Sequence, residues 1–486
     1  MGRRLVIVGA GISGLAAAQS AAETRTELGL DVDIVVVERA KRVGGKAQTV
    51  RRDGWLVETG PTGYLDNEPL MDRLVAAAGL EKIVANAAAA HRFVVRDARM
   101  RELHAQPGRF LTSGVLGPLG VLRLATEPFR RKLTDAHGET VDESVWRFAE
   151  RRLGRQAADR LIAPMVLGVF AGDAKQLSLP AAFPRMAELE QEYGSLVKAL
   201  RALKKARGED MGGPAGPSGK LTSFGNGLNT LPSRLASRGV ARGHFAVQTD
   251  TTVTALSHNG ARWVLGLEQD GAQTAHLEAD AVVLAGEVFS TAKLLRPVLA
   301  AVSETLDVTP TPAVSVVGLG YGPEVLAKAP RGFGALIQRG QALRILGVLW
   351  DTHLFPHRSA DGTLLMRCMV GGAVDPDAAA LTDAQLVDLC QRDVALLLGL
   401  EGKDAEPIFT EVARWPRAIP QYTLGHLDRM RHVREAVATS NSSRPGLHLA
   451  GNYLTGVAFT KAARCGWEAG AAAAIDVAGR ALVLRR

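Results

Sequence analysis

Short unbroken apolar runs punctuate the chain, separated by stretches rich in small or charged residues. Residues 4–8, RLVIV, predict a short buried strand, and LAAAQSAAETRT from Leu15 predicts an alanine-rich helix. A second run, DIVVVE, predicts another strand that ends on Glu38. Strand-like runs return in mid-chain at VQTDTTVTAL and DAVVLAG, and near the end at GLHLAGN. Residues 95–219 read as mostly helical, as in SVWRFAERRLG and AELEQEYGSLVKALRALKKARG. They close in GEDMGGPAGPSG, whose glycines and prolines predict a flexible connector. Residues 299–411 are again sheet-bearing, and no internal repeat stands out. The pattern as a whole predicts an α/β fold.

Length changes the picture first: 486 residues exceed one compact core and predict two or three domains. The apolar fraction of 47% excludes large-scale disorder. A net charge of +8 suits nucleic acid, an anionic membrane or an acidic ligand. The basic residues are dispersed rather than massed in a tail, which makes nucleic acid the weakest of the three. The cysteines, Cys368, Cys390 and Cys465, lie far apart, with no ligand-like spacing to histidine. Neither a disulfide framework nor a metal site is predicted, and a reducing compartment follows. The opening MGRRLVIVGAG has the basic-then-apolar order of a signal peptide, but glycines interrupt it and no cleavage site is evident. The best membrane-span candidate, FLTSGVLGPLGVL at 110–122, is too short and carries a proline and three glycines, so no span is predicted.

The glycines of the opening have their own chemistry. GAGISG places Gly9, Gly11 and Gly14 at GxGxxG spacing, with Ile12 and Ser13 between the last two, after a strand and at the start of a helix. The first glycine permits a tight turn, the second lets backbone approach a pyrophosphate, and the third lets helix pack against strand. The phosphates then rest at the positive end of the helix dipole. A glycine-rich structural turn is the plain alternative; the flanking strands and Glu38 favour dinucleotide binding. ERAKRVGGKAQT follows directly. Glu38 is placed for a ribose, and Arg39, Arg42, Gly44, Gly45 and Lys46 return toward the same phosphates with charge and close backbone approach. Standing alone, this segment would read as a solvated basic loop.

ExxxRxGG after such a fingerprint resembles the FAD-dependent amine-oxidase-like flavoprotein superfamily, and further matches extend along almost the whole chain. DGWLVETGPTGYL resembles the segment that brings Gly60 and Pro61 to the flavin, with Thr62 where many relatives carry Asn. TSFGNGLNTLP resembles the returning glycine turn. By the same resemblance, TTVTAL places Val253 where a backbone contact to adenine is expected. GLHLAGNYLTGVAFTKAA resembles the closing strand, turn and helix, with Gly451, Asn452, Gly456 and Val457 against the flavin ring. AGEVF replaces the commoner small-x-Pro turn.

Within that superfamily, LIAPMVLGVFAGDAKQLS, RGFGALI with RILGVLW, MRCMVGG and RWPRAIPQYTLGH resemble the protoporphyrinogen and coproporphyrinogen oxidases. The last of these carries a flavin-contacting tryptophan, here Trp415. By this resemblance Arg92 holds a substrate propionate, and Leu336, Leu346 and Met369 sandwich the macrocycle. An exposed strand-end charge and ordinary core packing are their respective alternatives. Gly168 matches the glycine beside the reacting carbon, where a side chain would obstruct approach. No general base is named, since His91, His353, His357 and His426 have no partner at fixed spacing.

The resemblance implies a discontinuous Rossmann-type FAD-binding domain from 1–94, 220–298 and 412–486, a mixed-sheet substrate-binding domain at 299–411, and an inserted helical, membrane-associating domain at 95–219. It implies FAD as cofactor, a porphyrinogen and molecular oxygen as substrates, and six-electron oxidation with peroxide release. Protoporphyrinogen IX is the first reading and coproporphyrinogen III the second. An amine oxidase, a carotenoid desaturase and a non-catalytic flavin-binding module are the rivals. A homodimer in the bacterial cytoplasm is expected, with ferrochelatase and the anionic inner-membrane face as candidate partners. For residues 110–122, with Arg123, Arg130, Arg131 and Lys132 behind them, docking on that face and burial beside a substrate tunnel both stand.

Overall fold

The structure is a computed structural model describing residues 2–97, 99–104, 106–133, 141–207 and 219–483. Strand Arg3–Val8 is the middle of a five-stranded sheet in the order Ala246–Gln248, Val32–Val37, Arg3–Val8, Ala281–Leu284 and Leu447–Leu449. All neighbours run parallel. Such a sheet is covered on both faces, which is why its strands are nearly continuous runs of Val, Ile and Leu. Its members come from the beginning, middle and end of the chain, as the strand pattern predicts. Helix Ile12–Glu27 leaves the first strand and is crossed by the closing helix Phe459–Val483. The crossing is close because the closing helix presents glycines: a Cβ on Gly466 or Gly470 would collide with the carbonyl oxygen of Ser13 or Ala17. A separate antiparallel sheet, Thr252–His258, Trp263–Gln269 and Ala272–Ala279, leads back into the parallel one.

The second large sheet has seven strands in the order Phe409–Trp415, Val314–Tyr321, Leu364–Gly371, Gly347–Trp350, Gly334–Ile337, Arg92–Arg96 and Arg99–Glu102. It is mixed, because Gly334–Ile337 pairs in parallel with Arg92–Arg96 while the other pairs are antiparallel. Its make-up departs from the boundaries read from the sequence. Residues 299–411 supply four strands outright, Phe409–Trp415 straddles the expected boundary, and the last two strands come from 92–102. One face buries Val95, Val317, Ile337, Val348, Cys368 and Val370 with Leu386, Cys390 and Val394 of helix Asp383–Leu398. Alternation along each strand turns the intervening residues to the other face.

Helices dominate 107–207, including Val145–Leu153, Ala163–Phe170, Pro184–Tyr193 and Leu196–Arg207. Buried charges tie them together. Arg152 reaches Glu190 at 2.7 Å, and Glu127 accepts from the amides of Leu196 and Val197 at 2.9 and 3.2 Å, capping the last of these helices. Apart from Gly219, the expected connector GEDMGGPAGPSG lies outside the described residues. Among the described residues no helix is long and apolar enough to cross a membrane, and no cluster of metal-ligating side chains occurs.

Candidate active site

The two glycine turns of the N-terminal region meet. Gly9 adopts φ 104°, a value glycine accepts readily, and its amide bonds Val37 O at 2.7 Å. Gly44 donates to Ala10 O at 2.8 Å, and a Cβ on Gly45 would stand 3.2 Å from the Cα of Gly11. A Cβ on Gly14 would collide with Gly9 O. Helix Ile12–Glu27 starts at Gly11 with no side chain capping its first amides, which leaves its positive end for an anion. Glu38 is buried at the end of its strand and accepts from the amides of Ala10 and Ala40 at 2.7 and 2.9 Å. Its own backbone bonds Gln248 and Thr251, which brings Val253 alongside. This bare-backbone cradle with an uncapped helix end fits a dinucleotide.

The cations of the segment take more specific partners than the sequence indicates. Arg42 donates to Gln48 Oε1 at 2.6 Å and Gly45 O at 3.2 Å, and burial lowers its pKa from the ordinary value. Lys46 bridges Glu287 at 2.5 Å and Ala418 O at 2.6 Å, and Arg39 meets the same Glu287 at 3.2 Å. The unusual AGEVF turn therefore supplies a carboxylate that spends part of the positive charge.

Strand register assembles the other half of the site on the free face of the seven-stranded sheet. One row across the strands runs Val94, Leu336, Gly347, Met369 and Val316; the next runs Arg92, Gly334, Leu349, Arg367 and Gly318. Helix Ala163–Phe170 lies against this face, and a Cβ on Gly168 would collide with Leu336 Cδ2. Leu346 donates its amide to Met369 O at 2.8 Å. Leu167, Ala171, Leu346 and Ala418 form a buried cluster with partly buried Met369, Trp415 and Ile419 packed against it. Leu336 and Met369 keep accessible surface, while Leu346 is fully buried, the core-packing alternative. The Arg92 guanidinium lies 5.3 Å from the Phe333 ring centroid, without a carboxylate partner among the described residues. It is open to solvent, yet surrounding protein lowers its pKa by desolvation, the combination a cleft produces.

The profile described as flavin containing amine oxidoreductase matches residues 12–475. The chain belongs to that family. Coproporphyrinogen III oxidase of Bacillus subtilis (strain 168) is 31% identical over 468 residues, covering 94% of each chain. Chloroplastic protoporphyrinogen oxidase of Oryza sativa subsp. japonica is 29% identical over 95% of this chain and 86% of its own. A crystal structure from Exiguobacterium sp. 255-15, provisionally named a protoporphyrinogen oxidase, superimposes with a TM-score of 0.80 at 24% identity, covering 98% of this chain and 99% of the other. Putrescine oxidase shares the fold with a TM-score of 0.67 at 18% identity, covering 98% and 99%.

In this flavin-containing oxidoreductase, residues 58–62 join the two halves of the site. Trp415 Nε1 donates to Thr59 O at 2.7 Å, and a Cβ on Gly60 would collide with Lys46 O. Pro61 lies between that glycine and Thr62, whose hydroxyl accepts from Arg367 and whose carbonyl accepts from Arg358 at 2.7 Å. Gly451 and Gly456 bracket the short helix Asn452–Thr455 with φ 154° and 151°. Tyr422 bonds Asn452 O, and His426 stacks on Tyr422 with centroids 4.1 Å apart while its Nε2 meets Tyr453 O at 3.0 Å. Val457 packs into the helical-region core. Burial, reinforced by Arg429 and Arg434, brings His426 down to about 4 and keeps it neutral. His91 pairs with Glu102 at 2.6 Å, an ordinary surface role.

Sequence reading missed the buried quartet Glu58, Asp351, Arg358 and Arg367. Its one local signal is an arginine inside the otherwise apolar strand LLMRCMVG.

Proposed function

We propose that this flavoenzyme oxidises protoporphyrinogen IX to protoporphyrin IX, with FAD as its flavin and molecular oxygen as final acceptor. The observation that carries the reading is Arg92, an unpaired guanidinium on the same sheet face as Leu336 and Met369, one row from the point where Gly168 packs. A porphyrinogen offers the matching shape: a broad apolar ring with propionates at its edge. Arg92 holds a propionate at two points. Leu336 and Met369 lie along the ring, and Gly168, bearing no side chain, lets the helix approach Leu336 at that wall. FAD, when bound, supplies the two-electron acceptor that no side chain can provide.

Gly9, Gly11 and Gly14 would hold its pyrophosphate with the helix amides, Glu38 its ribose, Val253 its adenine, and 59–62 with Trp415 and 451–457 its ring. In overall balance six electrons and six protons leave the macrocycle while three oxygen molecules become three hydrogen peroxide. Adding protoporphyrinogen in air is expected to produce porphyrin fluorescence with three peroxides per porphyrin. Flavin release on heating without any turnover would reduce the chain to a binding module.

Coproporphyrinogen III is the second reading. The Bacillus relative bears that name, and Arg96, Arg99 and Arg101 continue the Arg92 face outward through the pairs Val94 with Arg101 and Arg96 with Arg99. Extra propionates call for such cations. Arg51 and Arg52, the other cations that could serve extra propionates, lie on the hairpin Thr49–Glu58, with Arg52 over Phe409. Parallel turnover of the two porphyrinogens decides between the readings.

The same reading includes peripheral contact with an anionic membrane. Leu119 and Phe129 are 76% and 87% exposed, near exposed Leu111, Leu122, Arg130 and Arg131. Arg123 does not join them, because it donates to the carbonyls of Glu150, Arg151 and Arg152 at the end of a helix. Anionic liposomes at low salt are expected to float the protein, and L119S/F129S to abolish flotation. Wild-type protein left at the bottom of the gradient would refute docking.

A further inference from the structure

Arg367 carries a buried charge in the middle of a strand whose neighbours are apolar, and every donor on it is used. Nε meets Asp351 Oδ2 at 2.8 Å. One terminal nitrogen bonds Glu58 O at 2.5 Å and Gly60 O at 3.1 Å. The other bonds the Thr62 hydroxyl and Asp351 Oδ1, the latter at 3.3 Å. A guanidinium has five N–H groups in a rigid fork, and here all five have acceptors. Two of those acceptors, Gly60 O and the Thr62 hydroxyl, belong to the segment expected to face the flavin, and Glu58 O lies next to it. Asp351 also accepts from Arg358 at 2.6 Å, and Arg358 secures Thr62 O.

Position gives this clamp its meaning. Arg367 stands two residues before Met369, so both side chains leave the strand on the slot face. It also shares a cross-strand row with Arg92, three strands away, about 14 Å at the usual spacing of about 4.8 Å. One sheet face thus carries the proposed propionate anchor, the slot wall and the clamp on the flavin-facing segment.

We propose that Arg367, braced by Asp351, is a positioning residue that sets the distance and angle between the flavin-facing segment 59–62 and the substrate slot. The inference rests on the function proposed above and adds to it a fixed link between the two domains. Hydrogen transfer is sensitive to such placement, since a displacement of about 1 Å can cost about 100-fold in rate. Lysine preserves the charge but has three donors and no fork, so it cannot hold both carbonyls, the hydroxyl and the carboxylate together.

The test compares R367K, T62V and T62S holoenzymes with wild type. Two readouts are used: visible circular dichroism of the bound flavin, and the rate of flavin reduction per flavin on anaerobic mixing with protoporphyrinogen. R367K is expected to retain its flavin, alter the dichroism, and slow reduction about 100-fold with little change in KM. T62V, which removes one acceptor and disturbs folding less, is expected to slow reduction about 10-fold, and T62S to restore most of that loss. Wild-type dichroism and per-flavin rates in both R367K and T62V would overturn the proposal, as would losses that merely track flavin content. Failure of wild-type flavin to be reduced by porphyrinogen sinks the proposed function instead, and the dichroism then still decides whether Arg367 positions the flavin.

Discussion

Arg92 is an arginine without a carboxylate partner among the described residues, held where surrounding protein lowers its pKa by desolvation. A carboxylate arriving there gains a charge-assisted contact of about 2 to 3 kcal/mol. Replacing Arg92 with leucine is therefore expected to raise KM for a porphyrinogen roughly 30- to 100-fold and to leave kcat nearly unchanged, as loss of uniform binding does. Steady-state kinetics on both porphyrinogens check this. His426 makes a different prediction. Its pKa is brought from the ordinary 6.5 to about 4 by burial and by Arg429 and Arg434, while Tyr453 O opposes the shift. The folded state therefore binds fewer protons than the unfolded state between these values. Stability from this group is complete above about pH 6.5 and is lost as pH falls toward 4, by an amount on the order of 3 kcal/mol. Denaturant unfolding across that range is expected to show the slope in wild type and a shallower one in H426Q.

The closing helix sets two rules for glycine against each other. Helix propensity alone predicts that G470A gains about 1 kcal/mol. The added methyl, however, meets the carbonyl oxygen of Ala17, a backbone atom that cannot rotate away, and overpacking costs about 1 to 3 kcal/mol. The expected result is a lower Tm and weaker flavin retention, because the helix displaced is the one whose uncapped first turn is proposed to hold the phosphates. An unchanged or higher Tm would contradict that packing.

The first sheet was legible in sequence because its signals are local: apolar runs, three glycines at fixed spacing, and an acid ending the second strand. The seven-stranded sheet was less so. Strand Arg92–Arg96 pairs with Gly334–Ile337, a partner that only the tertiary fold supplies, and its own pattern reads equally as the margin of the first domain. Arg367 was harder still. Its clamp closes on Glu58, 309 residues earlier in the chain, and an arginine in a strand gives no local hint of where its donors go. Leu346, matched by resemblance alone, is buried beside Leu167, Ala171 and Ala418.

At the scale of the whole molecule, a parallel sheet supplies a bare-backbone cradle, a mixed sheet supplies a slot with a cationic edge, and residues 58–62 run between them. Buried charge sits at that seam: Glu58 and Asp351 face Arg358 and Arg367, all nearly closed to solvent. Breaking such a pair leaves a charge stranded, which is costly, so the seam resists sliding of one domain on the other. The helical region meets the slot face where Gly168 packs on Leu336.

The most direct measurement of the central claim is anaerobic mixing of purified holoenzyme with protoporphyrinogen while the visible absorbance of the bound flavin is recorded. The account predicts rapid bleaching in wild type, slower bleaching at low substrate in R92L, and return of colour when oxygen is admitted. A flavin that keeps its colour while porphyrin accumulates, or a protein that takes up no flavin, would contradict it.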